Sequence, residues 1–113
     1  MSKYLNKPIV TPDGERFDSN AEMSRYLVLQ NWQRLGKISE LQRQVPFVLS
    51  PAVLIKGRPR KSPALRYYAD FVYRDSDGVL VVEDVKGKIT EGYRIKRHIL
   101  AVQGITITEI RHD

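Results

Sequence analysis

The chain contains no cysteine and only 2 histidines, His98 and His112. Without thiols it cannot form disulfides, thiolate zinc sites or iron–sulfur clusters, and it has no cysteine nucleophile. Two histidines also argue against a metal site built from several imidazoles. These absences exclude thiol chemistry and the common zinc sites.

Long apolar runs are missing as well. No stretch approaches the roughly 18–20 apolar residues that a membrane-spanning helix needs. The first ten residues, MSKYLNKPIV, lack the apolar core of a secretory signal. We therefore expect no membrane partner and a cytoplasmic location.

Acidic residues are outnumbered. The 113 residues include 19 Lys and Arg against 13 Asp and Glu, a net charge of +6. This excess favours an anionic partner, nucleic acid first, although many soluble proteins are equally basic. The length suits a single domain over 1–113, and a composition of 42% hydrophobic and 28% charged residues is typical of globular proteins.

The N-terminal half predicts an arm, a helix, a strand and a basic loop. Residues 1–17 hold two prolines and an Asp-Gly turn signal, which indicate an arm. A helix is expected over about 19–35, with Ser19 as its N-cap. A strand over 41–49 contains Pro46, which favours an edge position or a bulge. Residues 50–64 are rich in proline, lysine and arginine, which indicates a loop.

The C-terminal half predicts a hairpin, a helix and a strand. Two β-rich segments, 65–74 and 79–86, flank an Asp-Gly turn. Helical spacing of apolar residues indicates a second helix over about 91–103, and alternation indicates a closing strand over 105–110. The order is α-β-β-β-α-β, an α/β fold in which helices flank a mixed sheet.

The hairpin would bring two carboxylates together. If residues 76–78 form a three-residue loop, Asp70 falls directly opposite Asp84, whereas a two- or four-residue loop shifts the partner by one position. Facing carboxylates destabilise a sheet unless a cation lies between them. Mg²⁺ is a natural candidate, because it is commonly held by one or two carboxylates together with substrate phosphate.

Lys86 would lie on the same strand face as Asp84, while Val85 faces the other way. Its ammonium would then be placed to stabilise charge on a phosphorus-bound oxygen or to orient an attacking water. The alternative is an exposed Asp84–Lys86 ion pair of little energetic consequence. The apolar run Val79–Val82 suggests a strand covered on both faces, and charges at the end of such a strand favour the functional interpretation.

Glu22 has two interpretations. It is the third helical residue of a capping box begun by Ser19, which is a structural role. It also lies on one helical stripe with Tyr26 and Leu29, so it could face the sheet as a third carboxylate. Spacing alone does not choose between them.

The pattern Asp70, then Asp84-Val85-Lys86, resembles the D…(D/E)xK signature of the PD-(D/E)xK nuclease superfamily, although Ala69 stands where the superfamily name carries proline. The element order also resembles that superfamily's restriction-endonuclease-like core. More narrowly, about residues 3–110 resemble a family of small phage-type proteins catalogued as a domain of unknown function. The segments that carry this resemblance are Phe17-Asp18-Ser19 with Glu22, Leu41-Gln42-Arg43-Gln44, Tyr68–Tyr73 and Val82–Gly87.

The resemblance implies roles for the hairpin residues. It makes Asp70, Asp84 and the backbone carbonyl of Val85 metal ligands and Lys86 the catalytic lysine. Glu83 is a second acid beside Asp84, and side-chain alternation favours Asp84 as the coordinating one.

Residues outside the hairpin also receive roles. The resemblance makes Glu22 the helical acid that binds or orients the metal site, and Gln44 lies where some relatives place a glutamine near the scissile phosphate. Basic residues of the loop and the second helix would hold phosphates, the alternative being a solvated surface. They are Lys56, Arg58, Arg60, Lys61, Arg94, Lys96 and Arg97, with Lys96 expected nearest the active face.

We therefore predict a metal-dependent deoxyribonuclease that hydrolyses phosphodiester bonds in DNA, branched DNA included, with Mg²⁺ as cofactor and Mn²⁺ as its substitute. If phage-encoded, it would act in the host cytoplasm, and cutting both strands at once would require a homodimer. One alternative is a non-catalytic nucleic-acid-binding module on a nuclease-like scaffold. Another is a phage interaction or assembly protein whose basic surface meets protein acids. The intact Asp/Asp/Lys set favours the enzyme.

Overall fold

The computed structural model describes residues 8–112. Its elements are β1 (Ile9–Val10), β2 (Arg16–Phe17), α1 (Asn20–Arg34), β3 (Ser39–Ser50), β4 (Leu65–Arg74), β5 (Leu80–Lys86), α2 (Glu91–Val102) and β6 (Ile107–Arg111). The predicted α-β-β-β-α-β order is confirmed, with two short strands added in front of it. No helix within the described residues is long and apolar enough to cross a bilayer.

A four-stranded mixed sheet with the order β3-β4-β5-β6 forms the centre of the fold. β3, β4 and β5 are antiparallel neighbours, and β6 runs parallel to β5 after the crossover through α2. β3 is an outer strand, the edge position predicted from Pro46. α2 packs on one face, where Leu100 contacts the cluster around Val82. α1 packs on the other, where Leu29 joins Phe71. The predicted α/β class, a mixed sheet flanked by helices, is confirmed.

The β4–β5 hairpin has a three-residue loop, one of the three lengths that the sequence left open. Phe71 pairs with Glu83. The N–H of Asp75 donates to the carbonyl of Val79 at 2.9 Å, which closes the loop over residues 76–78. Of the three loop lengths considered, only this one fits the observed register.

Part of the predicted arm is a small hairpin instead. β1 pairs with β2 in an antiparallel arrangement. The side chain of Phe17 is 1% exposed and belongs to the core beside α1, with Ile9 packed against it. The arm interpretation is therefore wrong for residues 8–17, because their apolar side chains cover the helix and sheet. Residues 1–7 lie outside the described part of the chain.

Burial along β5 also differs from the prediction. Val79 and Leu80, at the hairpin turn, are 57% and 43% exposed, whereas Val82 is 3% exposed. The expectation of a run covered on both faces is wrong for its first half. Burial increases along the strand, so that Glu83 and Asp84 are 1% and 3% exposed. The charges lie at the most deeply covered part of the strand, where they require partners.

Residues 51–64, which we call the basic lobe, connect β3 to β4. An isolated bridge joins Val53 to Ser62 through two backbone hydrogen bonds of 2.9 and 2.6 Å. At the tip, Arg58 N–H donates to the carbonyl of Ile55 at 3.0 Å. The predicted loop is thus a closed, hairpin-like projection.

Candidate active site

The carboxylates of Asp70 and Asp84 lie side by side where β4 and β5 separate. One step beyond the last ladder pair, the register places these residues opposite each other. The N–H of Asp70 donates to Asp84 Oδ1 at 3.3 Å, and the N–H of Val85 donates to Asp70 Oδ2 at 2.9 Å. Each carboxylate therefore replaces a ladder hydrogen bond with the opposite strand, which fixes both acids on the backbone.

Near Asp70, the alternation of side chains between the two sheet faces is interrupted in both β3 and β4. Ala69 packs with the α2 core and Phe71 with the α1 core, although strict alternation would keep both on one face. β3 changes face across Gln44, which lies opposite Asp70 in register and has a φ of 51°. A left-handed backbone is uncommon for a residue other than glycine. Gln44 Nε2 donates to Asp70 Oδ1 at 3.1 Å.

The side chain of Glu22 reaches the same place from α1. Ser19 Oγ accepts a hydrogen bond from the Glu22 N–H at 3.1 Å, as an N-cap should. The Glu22 carboxylate, however, accepts from Gln44 Nε2 at 3.1 Å and pairs with Arg43 at 3.3 Å. The capping role thus belongs to Ser19, while the acid of Glu22 faces the sheet and is joined through Gln44 to Asp70.

A cavity of about 510 Å³, which we call the acid cavity, lies between the end of β5 and α2. Six predicted site residues line it: Glu22, Asp70, Asp84, Val85, Lys86 and Lys96. Tyr67, Tyr68, Thr90, Gly92 and Tyr93 complete the lining. A concave site with convergent polar groups is the usual form of a ligand or active site.

Lys86 is held between an acid and an aromatic ring. Its Nζ lies 2.7 Å from Asp84 Oδ2 and 4.0 Å from the centroid of the Tyr93 ring. The Lys86 and Asp84 side chains are 23% and 4% exposed. The pair is therefore not the exposed surface pair of the structural alternative, and the ring adds a cation–π interaction to it.

The surroundings of Asp70 and Glu22 disfavour the ionised forms of these two acids. Burial, together with the negative charges of Asp84 and Glu22, raises the pKa of Asp70 to about 7, although the hydrogen bond from Val85 opposes this shift. Burial likewise raises the pKa of Glu22, and Arg43 opposes it. A cation placed among these groups would stabilise their ionised forms.

Glu83 faces away from the cavity. Its two carboxylate oxygens accept hydrogen bonds from Arg25 at 2.9 and 2.7 Å, and it also accepts one from the hydroxyl of Tyr73. These contacts tie α1 to the sheet. The geometry therefore assigns Glu83 to the α1 face and leaves Asp84 as the acid of β5 in the cavity.

Three residues around the site were not anticipated from the sequence. Arg43 stacks on the ring of Phe17 at 3.8 Å and reaches Glu22; its only signal was the segment containing Gln44. The hydroxyl of Tyr67 is buried near the carboxylate of Asp84, and burial together with that negative charge raises the pKa of this phenol. Tyr93, predicted as part of an apolar helical face, donates to Glu109 at 2.7 Å and contacts Lys86 with its ring.

The donor set fits a single hard cation with few protein ligands. Within residues 8–112, no group of three or more His, Asp or Glu side chains is close enough to hold a metal ion. The carboxylate oxygens at this point are those of Asp70 and Asp84, and the Val85 carbonyl is the third ligand that the resemblance implies. Asp84 Oδ2 is buried and lies 2.7 Å from Lys86 Nζ. Because Mg²⁺ commonly uses one or two carboxylates and keeps waters, this set is compatible with it.

The predicted phosphate-binding residues separate into three groups. Lys96 is exposed and lines the cavity. Arg94 and Arg97 pair with Glu91 and Glu109 at 2.8 and 2.7 Å, so both already have acidic partners. The loop cations do not line the acid cavity. A second cavity of about 570 Å³ in the basic lobe is lined by Ile55, Arg58, Pro59, Arg60, Lys61, Ser62 and Pro63.

Comparison with known proteins gives a family without a known activity. No curated protein and no solved structure matches the chain significantly. Residues 1–111 match the sequence profile of a family described as "Protein of unknown function (DUF1064)". Since this match spans nearly the whole chain, the protein belongs to the DUF1064 family.

Proposed function

We propose that this protein is a Mg²⁺-dependent nuclease that hydrolyses phosphodiester bonds in DNA. The observation that carries the proposal is the pairing of the half-buried Asp70 with the buried Asp84, in register beside Lys86 in one cavity. The resemblance of Asp70 and Asp84-Val85-Lys86 to the D…(D/E)xK signature supports it. A basic chain with a small acidic site suits a protein that attracts DNA and acts on its phosphates.

The charged residues of the cavity, with Val85 and Tyr93, have proposed roles. Asp70, Asp84 and the Val85 carbonyl would hold Mg²⁺, which when bound supplies Lewis-acid stabilisation of the charge that develops at phosphorus. Lys86 would orient the attacking water and stabilise a non-bridging phosphate oxygen. Tyr93 would keep the ammonium in place.

Gln44 and Glu22 would act through Asp70. The Gln44 amide bonds both acids, so it fixes the orientation of the Asp70 carboxylate. Lys96, exposed at the rim of the cavity, would bind a phosphate next to the scissile one. The proposed substrates include branched DNA. Where both strands are cut, the proposed active form is a homodimer, and the proposed location is the cytoplasm.

A cleavage assay tests the proposal. The wild type should cut labelled DNA in Mg²⁺ or Mn²⁺ and stop in EDTA. Asp84→Asn and Lys86→Ala should each lower the rate at least about a hundredfold, since both remove groups used in the transition state. Lys88→Ala is the matched control, because this exposed lysine does not line the cavity.

Circular dichroism of each variant keeps a folding defect separate from a loss of chemistry. Cleavage at the wild-type rate by well-folded Asp84→Asn and Lys86→Ala proteins would contradict the assignment.

A second candidate is a nucleic-acid-binding module without catalysis. One observation favours it: Lys86 already neutralises Asp84, and Gln44 already bonds Glu22 and Asp70, so the acids have partners within the chain. This candidate predicts DNA binding that is unchanged by EDTA, with no cleavage in any divalent metal.

A further inference from the structure

One face of the β3–β4 ribbon is left uncovered between the acid cavity and the basic lobe. Pro46 pairs with Tyr68, and Val48 pairs with Arg66, so the four side chains lie on one face. All four are exposed, Val48 by 52% and Tyr68 by 54%. The opposite face of the same strands, which includes Phe47, packs against the core beside α2.

This face joins the two ends of the molecule that the proposed function uses. Tyr68 also lines the cavity that holds Asp70 and Asp84. At the other end, β3 ends at Ser50 and β4 begins at Leu65, where the basic lobe starts and finishes. The ribbon face and the lobe therefore form one continuous strip, which we call the track.

The charge of the track is of one sign. Residues 41–69 contain no Asp or Glu, and their cations are Arg43, Lys56, Arg58, Arg60, Lys61 and Arg66. Within the described part of the chain, Arg43 alone of these six forms an ion pair. Five cations along the track thus lack acidic partners, which favours a polyanion as occupant and opposes a second copy of the same surface.

The track also exposes apolar side chains between its cations. In the lobe, Val53, Leu54 and Ile55 are 54%, 58% and 50% exposed. Tyr68 and Val48 continue this apolar character along the ribbon. A polyanion that also offers flat apolar faces is a nucleic-acid strand with unpaired bases, which basic surfaces with aromatic side chains bind by combined phosphate contact and stacking.

We propose that the track binds a single-stranded segment of DNA and leads it into the acid cavity. A double helix hides its base faces, and a ribbon that reads the major groove uses polar side chains on base edges. Here the exposed ribbon face carries proline, valine and tyrosine with a single arginine. Arg66 would contact a phosphate and Tyr68 would stack on a base next to the cavity.

The inference rests on the proposed function only in taking DNA as the polyanion, and its test needs no cleavage. Binding of a labelled oligothymidylate and of a duplex of equal length is measured by fluorescence anisotropy in EDTA over a range of salt concentrations. We expect the wild type to bind the single strand more tightly. Tyr68→Ala should weaken single-strand binding by about tenfold, the loss expected for one stacked base.

Charge and apolar variants complete the test. Arg66→Ala should reduce the slope of log affinity against log salt by about 0.7, the value for one phosphate of a single strand. Leu54→Ser should also weaken binding. Lys37→Ala is the matched control for the charge variant, because Lys37 is an exposed cation near the far end of β3. Val102→Ser is the matched control for the apolar variant, because Val102 is a 77% exposed valine on α2. Both control variants should bind as the wild type does.

Three results would overturn the inference. The first is tighter binding of the duplex than of the single strand, and the second is unchanged single-strand binding by Tyr68→Ala and Arg66→Ala. The third is binding of phosphatidylglycerol vesicles as tightly as of the single strand, with the vesicle binding lost in the same two variants. Binding and cleavage are measured separately. Any of these three results would overturn the track without deciding whether the protein cleaves DNA, and a negative cleavage assay would not decide whether the track binds a single strand.

Discussion

Neighbouring acids in β5 have opposite surroundings. Glu83 faces α1, where Arg25 and Tyr73 satisfy both of its oxygens. Asp84 faces the cavity, where it lies beside Asp70 and pairs with Lys86 at 2.7 Å. Glu83 is therefore placed to hold the fold together, whereas Asp84 lines the candidate site.

This difference predicts opposite effects on stability. Glu83→Ala should lower the free energy of unfolding by about 3 kcal/mol, because it leaves Arg25 without the partner of a largely buried ion pair. Asp84→Asn should lower it by less than about 1 kcal/mol, because the loss of the ion pair with Lys86 is offset by the removal of a charge that repels Asp70, and the side-chain volume is kept. Urea denaturation of both variants measures the contrast, and equal losses would contradict these roles.

The raised pKa of Asp70 predicts a pH dependence in metal-free protein. As pH rises from about 4 to about 7, an unfolded Asp70 releases its proton before the folded one does, so the folded state loses stability across this window. Above about pH 7 both forms are ionised and the loss is constant. After a discount for partial exposure, we expect a loss on the order of 2 kcal/mol.

Asp70→Asn should remove this component. Thermal unfolding in EDTA at pH 4, 6 and 8 would show the variant gaining on the wild type as pH rises. Parallel profiles for the two proteins would contradict the link between Asp70 burial and stability.

At the residue scale, the sequence predicted contacts between residues whose positions follow from strand alternation and turn length. Alternation and a three-residue turn are enough to place Asp70 opposite Asp84. The positions of Arg43 and Tyr67 could not be predicted in this way, because their contacts join elements that are distant in the chain. From the sequence, a tyrosine whose hydroxyl is buried near an acid cannot be distinguished from an ordinary core residue.

Among the elements, α1 combines two functions at its first turn. Ser19 caps the helix, while the carboxylate of Glu22 reaches β3 and β4 through Gln44. Ser19 therefore caps the start of the helix, and Glu22, which follows three positions later, places its carboxylate at the site.

The two functions should separate by mutation. Ser19→Ala should lower the free energy of unfolding by about 1 kcal/mol through loss of the cap and leave the rate of DNA cleavage unchanged. Glu22→Gln should leave the cap intact and lower the cleavage rate. Denaturation and cleavage measured on both variants check this, and a cleavage defect confined to Ser19→Ala would reverse the assignment.

The bounds of helices and strands could largely be predicted, because periodicity, caps and turns are local signals. The change of face across Gln44 could not, since nothing in the sequence marks a left-handed backbone at a glutamine. Ile9 and Phe17 were assigned to an arm because a strand of two residues has too little pattern to detect.

Over the whole molecule, the net charge of +6 conceals two populations. Buried or half-buried acids from α1, β4 and β5 line one cavity, while a strip without any acid runs from that cavity into the basic lobe. This separation supports an account in which one region binds the nucleic-acid backbone and the other acts on it. The DUF1064 family, to which the chain belongs, is itself described as being of unknown function.

The central claim is that Asp70 and Asp84 hold a divalent metal. Anomalous diffraction from crystals soaked in Mn²⁺ tests it most directly, with crystals of Asp84→Asn as the control. The account predicts an anomalous peak between the two carboxylates of the wild type and none in the variant. No peak at this position in well-diffracting wild-type crystals that bind Mn²⁺ elsewhere would contradict it.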